Sequence, residues 1–232
     1  MTPANATMPV LMALVDQRLP SGGHVHSGGI EEAVTDGSVF DVRSLSDFLL
    51  LRLQSAGLVG AAIAAAAAGP DGSGLDCLGL ESLEAETDAR LASPIARSLS
   101  RAQGRGLLRV ARAAWAAPSA SLTWRDVGER PHLPILMGCI ATAAGLMPLD
   151  AALAVAYQTV TGPATAAQRL LSLDPIAVAV MTITLSDAIA QVAHDAALAA
   201  QGSHRDLPDL ACARLDLVIE RHALRPNRLF AS

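Results

Sequence analysis

Residues 61–68 read Ala-Ala-Ile-Ala-Ala-Ala-Ala-Ala and stop at Gly69-Pro70. Alanine is the strongest helix former, because it loses no side-chain entropy in a helix, and it has little to pack across a pleated sheet. The run predicts a helix, closed by a glycine and a proline that do not continue it. The rest of the chain agrees: 51% of residues are hydrophobic, yet only 3% are aromatic. With charged residues at 17%, the chain is too apolar for disorder, and 232 residues suffice for a real core. The expectation is all-α: a single-domain bundle over residues 1–232, with roughly eight to ten helices.

Apolar spacing and breakers place helices at 8–18, 28–35, 42–68, 132–145, 148–171, 174–200 and 207–222. Gly162-Pro163 should kink or break the helix that contains it. Stretches 53–70, 131–149 and 151–168 carry no charge and approach the length of about 20 residues that spans a bilayer. They are built on Ala, Gly and Ser, and the second and third hold internal prolines, so buried helices are expected and no membrane partner.

The net charge is 17 − 22 = −5, and every basic residue is Arg. With no basic tail, nucleic acid is not an expected partner. Residues 71–88 hold six acids and no base, whereas 89–130 hold eight arginines. Arg97, Arg101, Arg105, Arg109 and Arg112 recur at helical spacing and form a stripe. Pairing with the preceding acidic segment in a helical hairpin is the first reading, and docking of an acidic partner the second. Cys77, Cys139 and Cys212 are scattered and odd in number, which fits a reducing cytoplasm rather than a disulfide framework or zinc site. Residues 1–9 lack the basic start of a secretory signal.

No phosphate loop, dinucleotide fingerprint, zincin motif or nucleophile elbow occurs, so no catalytic residue is assigned. The densest cluster runs from Arg18 to Glu32. His24 and His26 within it could share a metal. Alternatively, His26 and Ser27 hydrogen-bond a tight glycine-rich loop and cap the helix beginning near Gly28. The tail, 224–232, is short and carries two arginines and an exposed-looking Leu229-Phe230 pair.

These residues also resemble a family. Asp16, Pro20, Gly22, His26, Ser27, Gly29 and Glu31, with Ile30 in place of Leu, are similar to the signature D-x-x-x-P-x-G-x-x-x-H-S-x-G-L-E of the urease accessory protein UreF family. Arg97, Ser100, Gly104 and Arg105 resemble its R-x-x-S-x-x-x-G-R segment. His132, Pro134 and Gly138 resemble its H-x-P-x-x-x-G segment, Arg169 to Leu173 stand where it has a basic residue followed by a Pro-Leu turn, and residues 228–232 resemble its R-L-F/Y-x-S ending. The resemblance implies an all-helical homodimer without cofactor or catalysis. Such a protein binds UreD (UreH) and the GTPase UreG, assembles on apo-urease for nickel insertion, and governs GTP hydrolysis by UreG. By the same resemblance, Arg225, Arg228, Leu229 and Phe230 face UreD, and Glu31 and Arg169 face UreG. Pro20, Gly22, His26, Ser27 and Gly29 then form a structural loop. The competing reading is a direct nickel carrier using His24 and His26.

Overall fold

A computed structural model describes residues 7–16, 18–19, 26–210, 212–226 and 229–230. The helices are α1 (Thr7–Val15), α2 (Ile30–Thr35), α3 (Val42–Arg52), α4 (Leu58–Ala68), α5 (Cys77–Arg90) and α6 (Pro94–Ala114). They continue with α7 (Leu133–Ala144), α8 (Pro148–Leu171), α9 (Pro175–Thr184), α10 (Ser186–Ala199) and α11 (Ala213–Ala223). A π-turn, Leu53–Gly57, joins α3 to α4 into one helix of 27 residues. Counted that way, there are ten helices and no strand among the described residues, so the fold is all-α.

The alanine run forms the centre. Residues 61–68 are all buried, and α4 packs against α7, α8 and α10. Small side chains let these backbones approach closely. A Cβ on Gly138 of α7 would lie 2.3 Å from the Ala64 carbonyl oxygen and 2.5 Å from Ala67 Cβ, so only glycine fits. Leu45, Leu49, Ile63, Leu107, Leu136 and Ile140 fill the space between the helices. Val42–Ala68 is long and apolar enough to cross a bilayer, but 61% of its most apolar window is buried inside the protein.

Local signals set the helix starts. Asp41 and Ser44 form a reciprocal capping box on α3, Asp76 caps α5, and Ser93 caps α6 with Pro94 in its first turn. Asp174 caps α9 through the amides of Ile176 and Ala177, with Pro175 in the first turn, as the sequence predicts.

Three expectations change. The helix over 148–171 is not broken: Pro163 sits inside α8. The helix expected over 174–200 divides instead, with a bend of 43° between α9 and α10. Thr182 and Thr184 donate to carbonyls four residues earlier just before the break, a bonding pattern that bends helices. The last helix starts at Ala213 rather than 207, because Pro208 holds Leu207 in an extended conformation.

Candidate functional site

The tail and the start of α2 meet. Gly29 precedes α2 at φ 88°, and a Cβ there would come within 2.9 Å of Val218 Cγ1 on α11, so the loop passes close over that helix. This contact brings Glu31 and Glu32, in the first turn of α2, against the end of α11. His222 is fully buried, and its Nε2 lies 2.8 Å from Glu31 Oε2. The same carboxylate accepts the backbone N–H of Leu229 at 2.8 Å and of Phe230 at 3.0 Å. Burial pushes the Glu31 carboxyl up. The Leu229 amide, the His222 ring and the Phe230 amide outweigh that and hold it below its usual value. Glu32 is paired with Arg225, whose Nη2 donates to Oε1 at 3.0 Å and whose Nε donates to Oε2. Phe230 packs against the core, while Leu229 is 80% exposed.

The structure thus gathers into one intramolecular contact residues that the sequence reading divides between two partners: Glu31 on one side, Arg225, Leu229 and Phe230 on the other. Neither Glu31 nor the Arg225 guanidinium stands free to meet another protein while this contact is closed. Arg169 is exposed in the last turn of α8, and no hydrogen bond or ion pair joins it to Glu31. Arg228, Pro20, Gly22 and His24 lie outside the described residues. Ser27 does not cap α2 with its side chain. Its carbonyl accepts the Ile30 N–H at 3.2 Å, and its hydroxyl is buried without a partner. No group of three or more His, Cys, Asp or Glu that could hold a metal occurs among the described residues.

A second polar cluster forms where α5, α6 and α7 join. His132 is fully buried, with Nε2 2.9 Å from Asp88 Oδ1 and Nδ1 3.0 Å from Ser100 Oγ. Its backbone N–H donates to Glu84, and Ser100 Oγ also accepts the Leu133 N–H. Arg101 bridges Glu84 and Asp88 at 2.9 and 2.8 Å. Burial pulls the His132 ring below its usual pKa, and the hydrogen bond to Asp88 offsets this only in part. The neutral ring therefore donates through Nε2–H to Asp88 and accepts from the Ser100 hydroxyl at Nδ1.

The arginine stripe is partly absorbed by such contacts. Arg101 pairs with the acidic helix α5, as the hairpin reading expects, Arg97 donates to the carbonyls of Leu91 and Ala92, and Arg112 pairs with Glu129. Arg105 and Arg109 line a shallow surface depression with Arg130. The hairpin reading anticipates the pairing of Arg101 with Glu84 and Asp88, but sequence reasoning missed Glu32 and the bonding of Glu84 and Asp88 to His132. No local pattern marks these contacts, because the partners lie 44 to 193 residues away.

A UreF family model matches residues 39–186. The urease accessory protein UreF of Mycobacterium marinum is 47% identical over 97% of this chain and 99% of its own length. That of Mycolicibacterium vanbaalenii is 45% identical over 98% and 100%, and that of Mycobacterium tuberculosis 43% over 97% and 99%. The chain belongs to the UreF family. Four UreF-like segments of the sequence supply the two polar clusters: Glu31 from the first, Ser100 from the second, His132 from the third, and the Leu229 and Phe230 amides from the ending.

Proposed function

We propose that this chain is a non-enzymatic adaptor in urease maturation. It assembles with UreD (UreH) and the GTPase UreG on apo-urease, supports GTP-dependent nickel insertion and regulates GTP hydrolysis by UreG. It works as a homodimer in the cytoplasm and needs no cofactor. The observation that carries this reading is the shape of the tail. Glu31 holds its backbone amides, and Leu229 points outward, as an apolar anchor does before it enters a partner's groove. Ile176, Val180 and Ile183 form a second exposed apolar stripe on α9, a surface suited to a protein contact.

In this reading Leu229, Phe230, Arg225 and Arg228 form the UreD side. Arg169 contributes to the UreG side directly, and Glu31 acts through the shape it imposes on the tail. Co-purification tests it. Leu229→Asp should cut capture of UreD strongly while leaving the helical circular dichroism unchanged. Arg169→Ala should weaken retention of UreG with a GTP analogue but spare UreD. Full capture of UreD by Leu229→Asp would refute the tail's role.

A further inference from the structure

A cavity of about 160 Å³ lies between α3, α8, the start of α7 and the segment leading into α2, and it opens into a second of about 230 Å³. Arg52, Gln103 and Thr159 line both. Arg52 is the last residue of α3, immediately before the π-turn, an irregularity frequent at functional sites. Its Nε is buried without a hydrogen-bond partner, and burial pulls the guanidinium down to about 10.

An unpaired guanidinium in such a place is costly, and proteins normally bury one only against an anion. Every Asp and Glu of this chain lies among the described residues, and none forms an ion pair with Arg52. Asp16, at the rim, is clasped by Arg18. Asp216, in the extension, does not reach Arg52. The chain therefore keeps no side-chain carboxylate for this cation. Gly28, at φ 61°, keeps the space open: a Cβ there would stand 3.1 Å from Arg52 Nη2 and 2.9 Å from Pro163 Cγ. Gln158 is fixed at the wall by its donation to the Leu14 carbonyl at 2.7 Å.

We propose that this cavity binds one carboxylate group, with the Arg52 fork as principal donor and the Gln103 carboxamide as the second. A guanidinium matches a carboxylate in both geometry and charge. A phosphate, with charge of about −2, would need a further cation. Arg90, in the extension, is already committed to Glu86 and to the carbonyls at 204, 205, 207 and 208.

The test reads the Arg52 Nε–H resonance in the full chain labelled with ¹⁵N-arginine and assigned by its loss in Arg52→Lys. Acetate and N-acetyl-glutamate amide, whose free carboxylate mimics a protein Glu side chain, should each shift it saturably, and sodium chloride should not. Tighter binding of the blocked glutamate identifies a partner's side chain as the source, and tighter binding of acetate a free small carboxylate. Gln103→Ala, a folded control that keeps the reporter, should weaken binding about threefold. A resonance unmoved by either carboxylate, or moved equally by chloride, overturns the site. Tighter binding of phosphate than of both carboxylates overturns the assignment to a carboxylate.

Discussion

The two buried histidines have the same immediate chemistry and different consequences. Each is fully buried with Nε2 on a carboxylate, His132 on Asp88 and His222 on Glu31. Around His132, both ring nitrogens and the backbone N–H are bonded, and every group that touches the ring sits on or beside a helix already packed into the bundle. Around His222, Nδ1 is buried without a partner, and two of the carboxylate's hydrogen bonds go to amides in a segment beyond the last helix. A closed network fixes helix geometry. An incompletely bonded one, whose other members belong to the chain end, can open at lower cost and leave the bundle standing. The difference separates a joint that holds the fold from a clasp that holds the segment beyond the last helix.

The strongest challenge to that contrast is His132→Ala. Loss of the ring leaves a cavity and strips partners from Asp88 and Ser100, so urea unfolding should show a loss of about 3 kcal/mol. Glu31→Ala removes the acceptor of three donors but opens a region at the edge, and the cost should be about 2 kcal/mol. Limited proteolysis should then cut beyond residue 224 while the remainder resists. If Glu31→Ala loosened the whole bundle as much as His132→Ala, the distinction would fail.

Acid should separate the two clusters by pH. The folded pKa of His132 lies below its ordinary 6.5, so the unfolded chain binds the extra proton first. Stability is fully present above pH 6.5 and declines as pH falls below it, by at most about 1.4 kcal/mol per pH unit for one proton. His132→Gln should flatten that part of the profile. The folded pKa of Glu31 lies below 4.5, so its contribution is present above pH 4.5 and is lost as pH falls further. Release of the tail, followed by hydrogen exchange at the Leu229 and Phe230 amides, should accordingly begin at lower pH than the His132-linked loss. The smallest effect belongs to Leu229→Ala. Its side chain is exposed, so stability should stay within about 0.5 kcal/mol of wild type, and a larger loss would mean that the tail supports the fold through more than its backbone.

Much of the architecture is local and could be read from the chain. The alanine run ending at Gly69-Pro70, the Asp174-Pro175 start and the small residues of α7 each state a helix through their own backbone preferences. The failures came where neighbours override local preference. Pro163 leaves α8 unbroken, whereas α9 and α10 divide at a bend of 43° with no proline at the break. The candidate site was legible in part: Glu31 and the tail residues stood out, but their mutual contact did not.

By itself, then, the sequence determined the helical class, most helix starts and the absence of familiar catalytic motifs, since these depend on residues within a few positions of one another. Tertiary structure alone decided that Glu31 would meet an amide 198 residues away, that His132 would close a joint across three helices, and that Arg52 would end without a carboxylate. Pairings of this kind depend on how helices pack. No spacing along the chain encodes a contact between groups that only the folded core brings within hydrogen-bonding distance.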